Sequence, residues 1–411
     1  MSFLYLPKIY NNNIQISLKF KNNNIDSNTN ENNHNNNTNS NDDSNDNVFI
    51  SKSLNVHLNE IKKTIKNYID DWDTFKKYTN PYEYIHSSVS NKKLPVCKYK
   101  PLSRSFFKMI EIIHAFDLLS EKNPIKSLHL AEGPGGFIEA FCNIRKNFED
   151  NYYGITLISN DINVPSWKSS QTYLSNNKNI QLEYGKDNDG NLFSQNNFLS
   201  ILSKYKNSMN YITGDGGFDF SIDFNKQEEI STKLIVTQIF YAIVLQKSKG
   251  TFVLKIFDTF TKIILESIYL LSCLYKSVYV YKPNTSRIAN SEKYLICKEY
   301  NENENIENYI INNFSNIINN ISNIESLINV SIPKYYISKF EEINITYGNQ
   351  QIESIKNTIN LINEKNNNKN LENINNKINT LINNNILKSI NWCNKHDLAI
   401  NKIYLDNSYK L

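Results

Sequence analysis

The stretch Leu128-His-Leu-Ala-Glu-Gly-Pro-Gly-Gly-Phe-Ile-Glu139 decides the fold of this chain. It holds three of the eleven glycines present in 411 residues, between an apolar run and a segment with helical spacing. Glycine accepts positive φ and lacks a Cβ, so a glycine turn after a strand lets a nucleotide-like ligand lie against the main chain. The stretch therefore predicts a strand, a ligand-binding turn and a helix within an α/β sheet.

The composition narrows the class of protein. A net charge of +4, from 45 basic and 41 acidic residues, fits nucleic-acid binding only weakly, and 40% hydrophobic residues suffice for a buried core. The five cysteines form no Cys-x-x-Cys pair, which argues against a zinc site or disulfide framework and favours a reducing compartment.

Targeting signals are weak in this sequence. The amino terminus lacks a long apolar signal segment, and the most apolar run, residues 263–275, is short and carries Glu266. We therefore expect a soluble intracellular protein, nuclear or cytoplasmic, or carried in a virion if the source is viral. No membrane or DNA partner is expected.

Composition divides the chain into five segments. Residues 1–21 predict one strand, and residues 22–50, which are dominated by Asn, Asp, Ser and Thr, predict a disordered insert. Residues 51–100 and 301–411 predict two helical extensions around a main domain at residues 101–300. The segment that begins at Ile390 and ends in an apolar tail is expected to dock back on the main domain.

Within the main domain, short apolar runs alternate with helical runs, which is typical of a doubly wound, mostly parallel α/β sheet. Strands are predicted at 126–131, 152–158, 210–214, 251–257, 277–282 and 293–298. Helices are predicted at 103–120, 137–147, 226–247 and 259–275. A ten-residue loop without a helix joins the last two strands, so we expect them to be antiparallel neighbours, because parallel crossovers need a dozen or more residues.

The glycine turn fails two common phosphate-binding patterns. A dinucleotide site requires a third glycine after Gly136, and a P-loop ends in Gly-Lys-Ser or Gly-Lys-Thr. What remains is the tighter Glu/Asp-x-Gly-x-Gly motif of S-adenosylmethionine enzymes, in which the loop packs against a methionine moiety and a ribose. Glu132 ends the strand, where its carboxylate is placed to meet amino or hydroxyl groups of the ligand. A purely structural glycine turn is the alternative.

Three further charged residues accompany later strands. Asp215 directly follows an apolar run, and Glu292 opens the last predicted strand. Lys255 lies inside Thr251-Phe-Val-Leu-Lys-Ile-Phe257, where a lysine is costly unless it is paired or functional. Because ligands bind at the carboxyl ends of strands in such sheets, we expect these residues to contribute to one site.

Four ordered segments resemble one enzyme family. They are Ala-Glu-Gly-Pro-Gly-Gly-Phe (131–137), Asp-Gly-Gly-Phe (215–218), Val-Leu-Lys-Ile-Phe-Asp (253–258) and Thr-Ser-Arg-Ile-Ala-Asn-Ser-Glu-Lys-Tyr (285–294). They resemble the FtsJ-like ribose 2′-O-methyltransferases, and most closely the Adrift-type branch that acts on mRNA caps. The resemblance covers residues 103–298. It implies a Rossmann-like S-adenosylmethionine-dependent fold with one antiparallel strand, and methylation of the first or second transcribed nucleotide of 5′-capped mRNA.

The resemblance also implies a catalytic tetrad, Lys108, Asp215, Lys255 and Glu292. A ribose 2′-hydroxyl is a poor nucleophile, so the enzyme must align it with the methyl group and help its proton leave. Lys255 would accept that proton and Lys108 would stabilise the developing alkoxide. Asp215 would orient Lys255 close to the methyl group, and Glu292 would hold Lys108. The reaction requires no metal ion, and the histidine positions suggest none.

The implied cofactor contacts are Asp215 and the turn residues Glu132, Gly133, Pro134, Gly135, Gly136 and Phe137. The adenine edge would meet Asn191, where the family usually has an aspartate, or the nearby Asp189. Lys100 and Lys122 compete with Lys108 for the first tetrad position.

Several assignments stay open on the sequence alone. Arg287 and Lys282 are either phosphate contacts or solvated loop charges. The aromatic residues that either stack a methylated guanine or belong to the core are Trp72, Tyr82 and Tyr84. An rRNA or tRNA ribose methyltransferase and an inactive RNA-binding subunit of a capping complex are the alternative functions. The helical flanks favour the cap enzyme, beside capping or transcription machinery, and the intact tetrad argues against an inactive subunit.

Overall fold

The computed structural model describes residues 3–11, 13–21, 48–89, 92–159, 161, 164–217, 227–367 and 371–405. Most of the predicted disordered insert, 22–50, lies outside these described residues, as does Phe218 of the Asp-Gly-Gly-Phe segment. None of the helices in the described part of the chain is both long and apolar enough to cross a membrane.

Ten strands are present in the described residues. They are β1 (Leu4–Leu6), β2 (Ile16–Phe20), β3 (Lys126–Leu130), β4 (Asn151–Ile155), β5 (Ile180–Glu183), β6 (Met209–Gly214), β7 (Gln246–Ile256), β8 (Tyr275–Tyr281), β9 (Lys293–Tyr300) and β10 (Ile324–Ile328). Eight of them form one sheet in the order β1-β8-β9-β7-β6-β3-β4-β5, and β2 pairs with β10 in a second sheet.

The α-helices alternate with these strands and cover the sheet. They are α1 (Lys52–Thr64), α2 (Ile69–Thr79), α3 (Ser105–Phe116), α4 (Gly136–Arg145), α5 (Gln171–Asn176), α6 (Gln195–Tyr205), α7 (Gln227–Leu245), α8 (Lys262–Leu274), α9 (Glu304–Asn319), α10 (Lys334–Asn367) and α11 (Leu371–Lys395).

The strand directions confirm the predicted mostly parallel sheet. Strands β3 to β7 pair in parallel, and β9 runs antiparallel to both β7 and β8. The predicted antiparallel pairing of the last two strands is therefore correct. The amino-terminal β1 adds a second antiparallel strand at the sheet edge beside β8, which the sequence did not predict in this place.

The structure also contains short elements that the sequence pattern did not predict, among them β5, β10, α5 and α6. The β5 sequence Ile-Gln-Leu-Glu has only two apolar residues, and its pairing depends on β4 alone. Its alternation is too short to distinguish it from a loop. Within the helical extension predicted at residues 51–100, a 3₁₀ turn at Ile65–Tyr68 separates α1 from α2.

The helices bury apolar side chains on both faces of the sheet. Helix α7 is buried almost continuously from Leu234 to Leu245, because it contacts the helices α6, α8 and α9 as well as the strands β6 and β7. On the other face, α3 and α4 pack together and bury Phe106, Ile110, and Phe137. This packing holds the amino ends of α3 and α4 beside the carboxyl ends of β3, β6 and β7.

A buried carboxylate ties the carboxy-terminal extension to the main domain. Glu111 of α3 accepts hydrogen bonds from Tyr281 Oη (2.9 Å), Asn284 N (2.8 Å), Thr285 N (3.1 Å), Thr285 Oγ1 (3.1 Å) and Trp392 Nε1 (3.2 Å). One side chain thus connects α3, the loop between β8 and β9, and α11. The expected docking of the segment after Ile390 is confirmed by this contact to Trp392.

We predict that Glu111→Ala destabilises the protein by at least about 3 kcal/mol, because it leaves several buried donors unpaired at about 1–3 kcal/mol each. Urea unfolding at neutral pH measures the change. The control is Glu353→Ala on the exposed side of α10, expected to change the free energy of unfolding by less than about 0.5 kcal/mol. Equal effects of the two substitutions would contradict the network role of Glu111.

Candidate active site

The four residues of the predicted tetrad lie together at the carboxyl edge of the parallel strands. Asp215 directly follows β6, Lys255 lies near the end of β7, and Glu292 directly precedes β9. Lys108 lies in the first turn of α3 and reaches this edge through its contact with Glu292. The competing Lys100 and Lys122 are exposed and form no ion pair within the described residues.

The tetrad consists of two ion pairs. Lys108 Nζ lies 2.7 Å from Glu292 Oε1, and Lys255 Nζ lies 3.3 Å from Asp215 Oδ1. Lys255 also donates a hydrogen bond of 2.6 Å to the backbone oxygen of Asp215. The four side chains are only 11–13% exposed, so water screens these charges weakly.

A tyrosine that the sequence did not assign joins the two pairs. Tyr294 Oη donates to Asp215 Oδ1 at 2.9 Å and lies 3.4 Å from Glu292 Oε1. Burial, Asp215 and Glu292 raise the pKa of Tyr294 well above its usual value, so the phenol remains a donor. The sequence spacing could have indicated this contact, because Tyr294 follows Glu292 by two residues and residues so spaced lie on one face of an extended chain.

The electrostatics keep Glu292 ionised. Burial raises the pKa of Glu292, but the charges of Lys108 and Lys255 oppose this effect and leave the pKa well below its ordinary value. Two lysines and two carboxylates then make the tetrad neutral as a group. The tetrad thus holds two amino groups in a poorly solvated place without a net charge.

The two residues considered as phosphate contacts are engaged within the protein. Arg287 donates from Nε (3.0 Å) and Nη2 (2.7 Å) to the carboxylate of Glu83. Lys282 Nζ donates to Asn290 O (2.6 Å), Asn290 Oδ1 (2.9 Å) and Glu292 O (2.9 Å). Burial and the neighbouring lysines lower the pKa of Lys282 to about 7. Lys282 therefore fixes the loop that carries Glu292.

The glycine turn connects β3 to α4 as predicted. Gly135 has φ of 111°, a conformation that favours glycine, and a Cβ at Gly136 would lie 2.2 Å from Ser105 Oγ. A Cβ at Gly133 would lie 3.0 Å from Thr156 and the Pro165 oxygen. Without any ligand, protein packing therefore already leaves too little room for a side chain at Gly136 and only a tight fit for a Cβ at Gly133.

Glu132 uses one carboxylate oxygen to hold this turn. Glu132 Oε1 accepts the backbone N–H groups of Phe137 (2.7 Å) and Ile138 (3.1 Å) at the start of α4. Glu132 Oε2 is buried without a hydrogen-bond partner. Burial and the charge of Asp215 raise the pKa of Glu132 well above its usual value. An unpaired buried acceptor is costly, so the turn fits a ligand that brings a donor or a positive charge.

Asn191 and Asp189 lie in a turn beside the end of β4. Asn191 Oδ1 accepts from Phe193 N at 3.0 Å, and Asp189 Oδ1 accepts from Asn191 N at 2.9 Å and from Asn197 Nδ2 at 2.7 Å. The backbone of Asp189 also accepts from Ile158 N at 2.7 Å. Both side chains thus stabilise a turn at the same sheet edge as the glycine turn.

The aromatic candidates differ in burial. Tyr84 is 3% exposed and belongs to the core around α3, whereas Trp72 and Tyr82 are half-buried. Trp72 packs against a separate small cluster formed by Phe75 of α2 with Leu361 and Ile362 of α10. The burial of Tyr84 in this core therefore supports a structural role for that side chain.

Comparison with known proteins agrees with the resemblance seen in the sequence. Residues 101–300 match the family model of the FtsJ-like methyltransferases. The chain is 26% identical over 339 residues to the cap-specific mRNA (nucleoside-2′-O-)-methyltransferase 2 of Danio rerio, with 75% of this chain and 43% of that protein covered. It is 31% identical over 258 residues to the cap-specific mRNA (nucleoside-2′-O-)-methyltransferase 1 of Xenopus laevis, with 57% and 29% covered.

The chain spans less than half the length of these curated relatives. The same holds for the cap-specific mRNA (nucleoside-2′-O-)-methyltransferase 1 of Drosophila melanogaster, which is 29% identical over 226 residues, with 53% of this chain and 28% of that protein covered. Among solved structures, a putative ribosomal RNA methyltransferase from Plasmodium falciparum covers 49% of this chain and 100% of its own, at 21% identity and a TM-score of 0.36.

We predict that Glu292→Gln destabilises the protein by about 3–5 kcal/mol at pH 7, because Lys108 loses its compensating charge in a site that water reaches poorly. The folded-state pKa of Glu292 is depressed, so its stabilisation is present above about pH 4.5 and is lost as the pH falls. Urea unfolding across this range should show parent and variant converging in acid.

The control for this experiment is Glu299→Gln, which removes the exposed partner of Lys276. A surface pair of this kind contributes less than about 1 kcal/mol. A loss at Glu292 that does not change with pH would show that the charge of its carboxylate is not what stabilises the site.

Proposed function

We propose that this chain, which contains an FtsJ-like methyltransferase domain at residues 101–300, transfers a methyl group from S-adenosylmethionine to a ribose 2′-hydroxyl of RNA. The observation that carries the proposal is the pair of lysines, Lys108 and Lys255, each held by its own carboxylate at the edge where the glycine turn ends β3. A hydroxyl group placed between two such amino groups would have both a proton acceptor and a hydrogen-bond donor.

Each tetrad residue would then have a distinct role. The 2′-hydroxyl loses its proton as its oxygen bonds to the methyl carbon. Lys255 would take up that proton after releasing its own proton to solvent, which leaves its amino group neutral beside Asp215. Lys108 would donate a hydrogen bond to the oxygen as negative charge develops there. Glu292 and Tyr294 fix the positions of Lys108 and Asp215, so the alignment of the reacting atoms rests on groups that are already in place.

The cofactor would lie against the turn from Glu132 to Phe137, with Asp215 near the transferred group and Asp189 or Asn191 toward the adenine. When bound, S-adenosylmethionine supplies a methyl group on a positively charged sulfur that leaves as a neutral thioether. The buried, unpaired Glu132 Oε2 supports this placement, because a donor or cation opposite it would relieve its desolvation. No metal ion enters the scheme.

We further propose that the substrate is 5′-capped mRNA and that the target is its first or second transcribed nucleotide. The support is the similarity to proteins named as cap-specific methyltransferases, together with helical flanks at 51–100 and 301–411, from which Tyr84 and Trp392 pack in the same core as α3. A location in the nucleus or cytoplasm, beside capping or transcription machinery, fits such a substrate. An rRNA or tRNA ribose methyltransferase is the alternative within the same chemistry.

The test supplies purified protein and labelled S-adenosylmethionine with capped and uncapped RNAs of one sequence, followed by nuclease mapping of the label. We expect the label on the ribose of the first or second nucleotide of capped RNA. Equal transfer to both RNAs would exclude the cap-specific function. Retained S-adenosylmethionine binding with no transfer to any RNA would favour an inactive RNA-binding subunit.

We predict that Lys255→Met lowers the rate constant for methyl transfer by about 10²–10⁴-fold, the range expected for loss of a proton acceptor. Its affinity for S-adenosylmethionine, measured by calorimetry, should change far less, because the glycine turn is left intact. Lys276→Met is the matched control. Lys276 is exposed and lies at the start of β8, at the sheet edge opposite the tetrad. Equal rates for parent and Lys255→Met would remove Lys255 from the mechanism.

A further inference from the structure

Arg104 is a cation without a partner beside the tetrad. It directly precedes α3, and its Nε is buried with no hydrogen-bond partner. Within the described part of the chain its guanidinium takes part in no hydrogen bond and no ion pair, although Glu83 and Glu292 are close enough to act on its charge. Arg104 is half-buried, and its buried Nε is costly in this state unless a ligand supplies an acceptor.

The nearby carboxylates are already committed. Glu83 accepts four hydrogen bonds, two from Arg287, one from Asn80 Nδ2 (2.8 Å) and one from Ser87 Oγ (2.8 Å). Glu292 pairs with Lys108. Lys108 and Arg287 thus each form an ion pair with one of these carboxylates, whereas Arg104 forms none with either.

Two other features agree with a positive potential at this place. Burial and then the charges of Arg104, Arg287 and Lys108 lower the pKa of His86 to about 3, although Glu83 acts in the opposite direction. The amino end of α3 points here as well, with no acidic residue in its first turn and no side-chain cap. Its helix dipole adds to the attraction for an anion.

The position of Arg104 favours the substrate side of the site. The charged groups that act on Arg104 are Arg287, Glu83, Glu292 and Tyr294, whereas those that act on Glu132 in the glycine turn are Asp215 and Lys255. Arg104 and Lys108 are four residues apart, about 6 Å along one face of the start of α3. This separation suits a group attached to the ribose on which Lys108 would act.

We propose that Arg104 binds one phosphodiester group of the RNA, the group directly 5′ or 3′ of the nucleotide that is methylated. This inference rests on the proposed function and adds a residue that positions the substrate. A phosphodiester brings one negative charge and acceptor oxygens, which match the one unpaired cation and the forked donors of a guanidinium. Arg104 would thereby set which ribose along the RNA lies between the two lysines.

The first experiment compares parent and Arg104→Met on three RNAs. One RNA is unmodified, and each of the others carries a single uncharged methylphosphonate, either 5′ or 3′ of the methylated nucleotide. For the parent, we expect kcat/KM to fall about 10- to 100-fold with one of the two modified RNAs. Arg104→Met should lose a similar factor on unmodified RNA and nothing further on that same modified RNA. The proposal would be overturned if the loss caused by Arg104→Met multiplied with the loss caused by the methylphosphonate, whether the methylphosphonate is 5′ or 3′.

The second experiment measures binding and does not depend on activity. Fluorescence anisotropy gives the affinity for a short single-stranded RNA as a function of salt, and loss of one phosphate contact should reduce the slope of log K against log salt by about 0.7. Arg104→Met should show this reduction, and the control Lys276→Met should not. An unchanged slope in Arg104→Met would overturn the proposal even where methyl transfer by the parent is intact.

Two readouts separate the remaining explanations. The thermal unfolding midpoint of Arg104→Met should not fall below that of the parent, because no partner is lost; a clear fall would indicate a structural role. S-adenosylmethionine affinity should be unchanged, and a selective loss would assign Arg104 to the cofactor's carboxylate. If the parent methylates no RNA, the proposed function has failed, and the salt dependence alone decides the role of Arg104.

Discussion

Mutual compensation of four charges is the constraint on which the rest of the site depends. Lys108, Asp215, Lys255 and Glu292 are each about nine-tenths buried and come from four different elements. An ion that loses its partner in such a place costs several kcal/mol, so the positions of α3, β6, β7 and β9 are linked through these contacts. Tyr294 joins the two pairs and makes the four charges one unit.

The antiparallel direction of β9 is what brings the tetrad together. Strands β6 and β7 end at the carboxyl edge of the sheet, and the register pairs Ile256 of β7 with Lys293, the first residue of β9. Glu292 therefore enters at the edge where Asp215 and Lys255 lie. A parallel strand in the same position would begin at the opposite edge and would carry its first residue away from the site.

The sequence was sufficient for the parts of the site that lie on long, regular elements, and the resemblance to a family supplied their roles. It was insufficient where a partner is distant in the chain. Arg287 finds Glu83 across 204 residues, and Trp392 finds Glu111 across 281. No local pattern encodes such pairs. Tyr294 was missed for another reason, since an aromatic residue in a strand ordinarily indicates core packing.

The unsatisfied polar groups around the tetrad divide by chemical type. On the side of the glycine turn, Glu132 leaves a bare acceptor, which suits a ligand with a positive charge or donors; on the side of α3, Arg104 leaves donors, which suit an anion. The proposed cofactor and the proposed RNA substrate differ in the sign of their charge in the same way, since a sulfonium is positive and a phosphodiester is negative. Internal partners at Glu132 and Arg104 would add stability, and the protein forgoes that stability beside the tetrad. The neutral tetrad thus separates an acceptor site from a cation site.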